Sequence, residues 1–266
     1  MLRRLDAELV HRGLARSREV AKELIDQQLV EVAGIRATKA ATQVRPEVSI
    51  RVIDGPSDHY VSRGAHKLIG ALDRFCPAGL IIEGRIALDA GASTGGFTQV
   101  LLERGAAEVL AVDVGYGVLA WLIRNDPRVS VYERVNVRSL QPGDLALTPS
   151  LVVADLSFIS LRTVLPALFQ VSSDDADLLL MVKPQFEVGR EDAGTGVVRE
   201  PALRARAVIE VAEALQAGGA GVRDVVASPL PGPSGNVEYF VWAARGVELH
   251  RQLDELIATA VSEGPQ

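Results

Sequence analysis

The apolar positions of this chain change period along its length. Over the first fifty residues Leu5, Leu9, Val20, Leu24 and Ile25 recur at helical spacing and short strand-like runs follow, which predicts two short helices and a small set of strands. Gly13 is placed to end the first helix and Ser17 to cap the second, although Val20 stands where a reciprocal capping box would need Glu or Gln. From residue 85 strand-like and helix-like runs alternate: RIALDA, a helix from Thr98, AEVLAVDV, a helix near Leu119, VSVY, LVVADL, a helix from Leu161, DLLLMV and a helix over 201–217. Such alternation predicts a doubly wound, Rossmann-like α/β domain with a parallel sheet. GVRDVVAS and NVEYFVWA, joined by the turn-rich PLPGPSGN, predict a closing hairpin and an antiparallel seventh strand, before a last helix over 247–261. GPSD (55–58) breaks the pattern between the two regions. The predicted organisation is an α+β module over 1–54, a linker over 55–62 and the α/β domain over 63–266.

Charged residues intrude on this pattern. LVVADLSF (151–158), DLLLMVKPQF (177–186) and NVEYFVWA (236–243) read as buried strands yet carry Asp155, Lys183 and Glu238. Lys67 lies in a helix whose apolar stripe is Leu68, Ala71, Leu72 and Phe75. A strand interior buries a charge only with a partner, and two lysines and two carboxylates can partner one another. The bland reading is an ion-pair network without chemistry. The sharper one is a lysine poised to take a proton from a hydroxyl.

The turn after the first core strand, DAGASTGGFT (89–98), bears on that choice, because its glycines let backbone approach a ligand at a helix N-terminus. Ser93 stands where the second glycine of G-x-G-x-x-G would admit a pyrophosphate, which favours S-adenosylmethionine over a dinucleotide. Asp113, at the end of the next strand, is placed to accept hydrogen bonds from ribose hydroxyls. The sequence after Asp155 is Leu156-Ser157-Phe158, without the two prolines with which amino-group methyltransferases shape a slot for a base. Cys76, the single cysteine, sits in an apolar helix ahead of the first core strand and reads as packing rather than as a carbon-methylating nucleophile. Oxygen remains as the methyl acceptor. A lysine takes a hydroxyl proton only in its neutral form, which burial and the charge of Lys67 favour and which Asp155 and Glu238 oppose; the carboxylates then orient the amines and balance the donor's charge.

With 266 residues and 48% hydrophobic content the chain can build one large core and a small second module. Its net charge of −6 conceals an uneven distribution, since residues 1–52 hold ten Lys or Arg against seven Asp or Glu. Arg4, Arg12, Arg16, Arg18 and Lys22 cluster about the first two helices, where they can grip phosphates or simply form a solvated face. One cysteine permits no internal disulfide, and the sequence shows neither a signal-like stretch nor a bilayer-spanning run, so a reducing cytoplasm is expected. His11, His59, His66 and His250 lack metal-ligand spacing, and no metal is predicted. The glycine-bearing segment 187–200 reads equally as a substrate-ordering loop or a surface connection.

RLDAELVHRGLARSREVAKELI, followed by LVEVAG, resembles the alpha-L RNA-binding module of a small-subunit ribosomal protein. The order Lys67, Asp155, Lys183, Glu238 resembles the tetrad of FtsJ-type ribose 2′-O-methyltransferases. SRGAHKL, LDAGASTGGFT, AVDVGYGVLAW, RNDPRV, VVADLSFISL, VKPQFEVG and LPGPSGNVEYF resemble the TlyA family over nearly the full length. The resemblance implies methyl transfer from S-adenosylmethionine to the 2′-oxygen of a cytidine in 16S or 23S ribosomal RNA, with an effect on sensitivity to capreomycin-type antibiotics. It places the catalytic tetrad on Lys67, Asp155, Lys183 and Glu238, the donor loop on Asp89, Gly91, Ser93, Gly95, Gly96 and Phe97, and the ribose contact on Asp113. The family also carries a haemolysin name, so a membrane-active cytolysin is the competing class, with a non-catalytic RNA-binding protein as a second alternative.

Overall fold

In the computed structural model the chain divides into two compact units, residues 1–59 and 60–266. The structure describes every residue except 1, 16, 27–28, 53–58, 195, 233, 248–251 and 266. Arg16, His250, the stretch 55–58 of the expected linker and residues 248–251 of the expected last helix thus lie outside the described residues.

The first unit comprises β1 (Arg3–Arg4), α1 (Leu5–His11), α2 (Arg18–Asp26), β2 (Val30–Val32), β3 (Ile35–Arg36), β4 (Gln43–Val44) and β5 (Ile50–Val52). β1 pairs with β4, and β2 lies between β3 and β5. The helical spacing seen in the sequence buries Leu5, Leu9, Ala21 and Ile25 against Val30. Gly13 turns the chain after α1 with φ 69°, and the Ser17 hydroxyl accepts a hydrogen bond from the Val20 amide at 3.2 Å to open α2.

The second unit comprises α3 (Gly64–Phe75), β6 (Ile86–Ala90), α4 (Gly96–Glu103), β7 (Glu108–Asp113), the single turn α5 (Trp121–Arg124), β8 (Val129–Glu133), β9 (Leu151–Ala154), α6 (Leu161–Val171), β10 (Asp177–Val182), α7 (Pro184–Glu187), α8 (Arg190–Ala193), α9 (Pro201–Ala217), β11 (Ala220–Ala227), β12 (Tyr239–Arg245) and α10 (Leu253–Glu263). Its seven-stranded sheet has the order β11-β12-β10-β9-β6-β7-β8, and β12 alone runs antiparallel to its neighbours. The expected Rossmann-like fold with an antiparallel last strand is the observed one. Successive residues of each central strand enter opposite cores, as the two-residue period of a strand requires. Ala87, Val153, Leu179, Met181, Phe240 and Trp242 pack with α3 and α4, while Leu88, Val152, Leu178, Leu180 and Val241 pack with α6 and α9. Tyr60, Val61 and Ser62, read as linker, are packed into this unit: Tyr60 meets His66 edge-on at 5.4 Å and the Val61 amide donates to Gln99 Oε1 at 2.9 Å.

Candidate active site

The misplaced charges converge on one edge of the sheet. Asp155 and Lys183 each follow the carboxyl end of a parallel strand, β9 and β10, while β12 is antiparallel and so brings its amino end, and Glu238, to that same edge. Extending the pairing Val182↔Tyr239 by one step sets Lys183 opposite Glu238. Parity does the rest. Positions 153, 179, 181, 240 and 242 face α3 and α4, and Asp155, Lys183 and Glu238 continue those alternate series. α3 supplies Lys67 from the facing helix, beside the buried Leu68.

The four charges resolve into two ion pairs. Lys67 Nζ lies 2.5 Å from Glu238 Oε2, with side-chain exposures of only 5% and 1%. Lys183 Nζ lies 2.5 Å from Asp155 Oδ1, with exposures of 9% and 23%, so this pair is the more exposed of the two. The first contact is a hydrogen bond; the second is ionic without being well aimed, for Asp155 Oδ1 makes no directed hydrogen bond. Lys183 instead donates to the Ser157 hydroxyl at 3.0 Å. Asp155, Lys183 and Glu238 stand one residue beyond the ends of β9, β10 and β12, at the margins of the buried runs.

The glycine turn adjoins this edge at the point where strand order reverses between β6 and β9. Gly91, with φ 88°, has no room for a side chain, since a Cβ there would stand 2.6 Å from the backbone oxygen of Asp155. Gly95, with φ 99°, precedes the first turn of α4 in the left-handed region. A Cβ on Gly96 would collide with the Ser62 hydroxyl, so this glycine serves the packing of α4 on α3. Phe97 is 4% exposed and stacks on Phe240 at 6.0 Å. Its ring belongs to the core, which corrects the expectation that it lines the donor loop.

Asp89 and Asp113 bracket the turn. Asp89 is fully buried; the Thr98 hydroxyl donates to Oδ2 at 2.6 Å and Oδ1 is left without a partner. Burial, reinforced by the charge of Asp155, pushes its carboxyl up to about 7 against the opposing hydrogen bond from Thr98. Asp113 accepts the Ser93 amide at 2.8 Å on Oδ2 and the Gly115 amide at 2.6 Å on Oδ1. A narrow cleft beside it is lined by Ala92, Ser93, Gly115, Leu119 and Val131.

In the first unit the arginines meet two buried acids. Asp6, 5% exposed, accepts Nε and Nη2 of Arg4 at 3.1 and 3.0 Å and Nη2 of Arg18 at 2.8 Å, and these guanidiniums hold its carboxyl well below the usual carboxylate range. Arg12 donates to Glu8 at 2.8 Å and to the carbonyls of Val48 and Pro46 at 2.8 and 2.7 Å. Its fork is therefore spent on the unit itself, a correction to its reading as a phosphate grip. Arg4 and Arg18 keep side chains 45% and 56% exposed, and Lys22 is exposed.

Three features carried little signal in the sequence. Phe158 is 90% exposed with φ 65° and touches Phe186 at 5.3 Å, which leaves an aromatic face open beside the Lys183 pair. Glu187, 4% exposed, accepts the Ser160 hydroxyl at 2.6 Å and the Leu161 amide at 2.7 Å, and so fastens the segment after Lys183 to the start of α6. Asn236 donates to the Gly196 carbonyl at 2.7 Å and accepts from the Val198 amide at 2.9 Å, tying the segment 187–200 to the approach to Glu238. Among the described residues no group of three or more His, Cys, Asp or Glu is arranged to hold a metal ion.

Comparison with known proteins identifies the family of each unit. The profile of the FtsJ-like methyltransferases matches residues 60–245 and that of the S4 domain matches residues 3–50. The chain is 55% identical over 266 residues, 98% of each chain, to the 16S/23S rRNA (cytidine-2′-O)-methyltransferase TlyA of Mycobacterium tuberculosis. It is 39% identical over 265 residues to the candidate rRNA methyltransferase YqxC of Bacillus subtilis, spanning 98% of this chain and 93% of that one. A solved structure of a candidate hemolysin from Streptococcus thermophilus superposes with a TM-score of 0.76 at 36% identity, covering 98% of this chain and 96% of that one. With both units matched in order and the similarity running from end to end, the chain belongs to the FtsJ-like methyltransferases and, among them, to the TlyA family.

Proposed function

We propose that this protein transfers a methyl group from S-adenosylmethionine to the ribose 2′-oxygen of a cytidine in ribosomal RNA. The observation that carries the reading is the partly open Lys183–Asp155 pair, 2.5 Å apart on the same sheet edge as the glycine turn. The residues of that turn fit the donor: Gly91 keeps the passage beside Asp155 clear, Asp113 offers its carboxylate to a ribose, and the unpartnered Asp89 Oδ1 offers a buried acceptor. S-adenosylmethionine would supply an electrophilic methyl group there. Lys183 takes the 2′-hydroxyl proton, Asp155 stabilises the ammonium that results, and Lys67 with Glu238 fixes the charge behind them. Phe158 presents its open face to the target base. The first unit, through Arg4, Arg18 and Lys22, holds phosphates of the RNA, and the second performs the chemistry. Such work places the protein in the cytoplasm with the ribosome.

The deciding experiment supplies labelled S-adenosylmethionine with unmodified ribosomal subunits and tests the labelled linkage by alkaline hydrolysis. A 2′-O-methyl group removes the hydroxyl that attacks the neighbouring phosphate, so label should stay in alkali-resistant dinucleotides; label confined to mononucleotides would sink the reading. A cytolysin is not favoured by any observation here, and among the described residues no helix is long and apolar enough to cross a membrane.

A further inference from the structure

Lys183 is held by two acceptors of different kinds. Asp155 Oδ1 approaches Nζ to 2.5 Å but forms no directed hydrogen bond, whereas the Ser157 hydroxyl accepts one at 3.0 Å. An ion pair fixes how near an amine lies and leaves its rotation about the last carbon–nitrogen bond loose. A hydrogen bond prefers a near-linear donor and so fixes that rotation.

The turn that presents Ser157 is costly in itself. Phe158, the next residue, holds φ 65°, a conformation that a bulky side chain seldom adopts, and its ring is 90% exposed. Neither the backbone nor the ring gains burial there. Strain of this kind persists where the surroundings impose it, and here it bends the chain directly after Ser157, an exposed serine whose acceptor is nonetheless turned on a lysine only 9% exposed.

From this geometry we infer that Ser157 is the positioning residue that aims the Lys183 amine at the substrate hydroxyl. The inference rests on the reading of Lys183 as the base. A neutral amine has two N–H bonds and one lone pair. With one N–H committed to Ser157 and the other drawn to Asp155, the lone pair occupies the remaining position, where the 2′-hydroxyl can deliver its proton. Once the proton has moved from that oxygen to Nζ, the ammonium keeps both acceptors and Asp155 balances its charge. Without Ser157 the amine stays close to Asp155 but its lone pair is no longer held in one direction.

The test compares Ser157→Ala, Ser157→Thr and Lys183→Ala in the full chain, using single-turnover methylation of ribosomal subunits across pH with binding of S-adenosylmethionine and of subunits measured separately. Ser157→Ala should lower the plateau rate by about tenfold to a hundredfold, as expected when a reacting group loses its orientation, with both affinities kept within about twofold. Ser157→Thr, which retains the hydroxyl, should restore most of the rate. The inference is overturned by a wild-type rate in Ser157→Ala, by equal slowing in the Ala and Thr variants, or by a rate loss matched by loss of binding. Lys183→Ala separates the two ideas: if it retains turnover the base assignment fails, and if it is inactive while Ser157→Ala is normal, the positioning role alone fails.

Discussion

Lys67 and Glu238 are 171 positions apart in sequence and meet at 2.5 Å. With side chains 5% and 1% exposed they form the deepest charge pair among the described residues of the second unit. Removing one member of such a pair strands the other in the core, so Glu238→Ala should cost about 3–5 kcal/mol of unfolding free energy in a urea titration. Lys67→Met combined with Glu238→Leu should recover most of that stability and none of the methyl transfer. A double variant that stayed as unstable as Glu238→Ala would show that the pair is kept for the fold rather than for the chemistry.

Asp113 ties the glycine turn to the end of β7 through the amides of Ser93 and Gly115. Asp113→Ala should weaken binding of S-adenosylmethionine by about tenfold to a hundredfold, the loss expected for hydrogen bonds to a charged acceptor. Calorimetry on the unliganded protein measures it, and unchanged affinity would remove Asp113 from the donor site.

Asp89 gives the second unit a pH dependence of unusual sign. Burial first, and the charge of Asp155 in addition, raises its carboxyl from 3.8 to about 7. The folded protein then keeps a proton that the unfolded chain has released across that window, so the contribution of Asp89 to stability is largest at the acid end and declines as pH rises to about 7. In melting experiments between pH 5 and 8 without ligand, Asp89→Asn should lose this decline. A slope identical to that of the wild type would place the titration elsewhere.

Arginines of the first unit should separate into two kinds. Arg18→Ala removes an exposed fork and should weaken RNA binding with a shallower dependence on salt, by about one unit of log–log slope. Arg12→Ala breaks contacts to Glu8 and to the carbonyls of Pro46 and Val48, and should lower the stability of the unit instead. Filter binding over a salt series, with melting curves alongside, distinguishes them.

Much of this was legible because strand and helix periods write the sheet directly into the sequence: DLLLMV reads as a buried strand and is one, and Pro201–Ala217 is the helix expected there. The approximate place of the tetrad was legible for the same reason, since charges beside such runs are conspicuous. Their pairing was not. Which lysine meets which carboxylate depends on register, and Ser157 gains its role from a residue 26 positions away. Phe97 was misassigned because it sits inside a motif, yet the stripe of α4 turns it into the core. Arg12 was misassigned because its carbonyl partners lie 34 and 36 residues downstream, and backbone acceptors leave no trace in a sequence.

β12 lies between β10 and β11 although it is made after both. The strand synthesised last must therefore slot into a gap between two that were translated earlier, and with it comes Glu238, the carboxylate paired with Lys67. A nascent chain interrupted before Glu238 would hold Lys67, Asp155 and Lys183 but leave one amine uncompensated and the sheet open at its seam. The two ion pairs at this end of the sheet can therefore stand together only once β12 has been inserted between strands made before it.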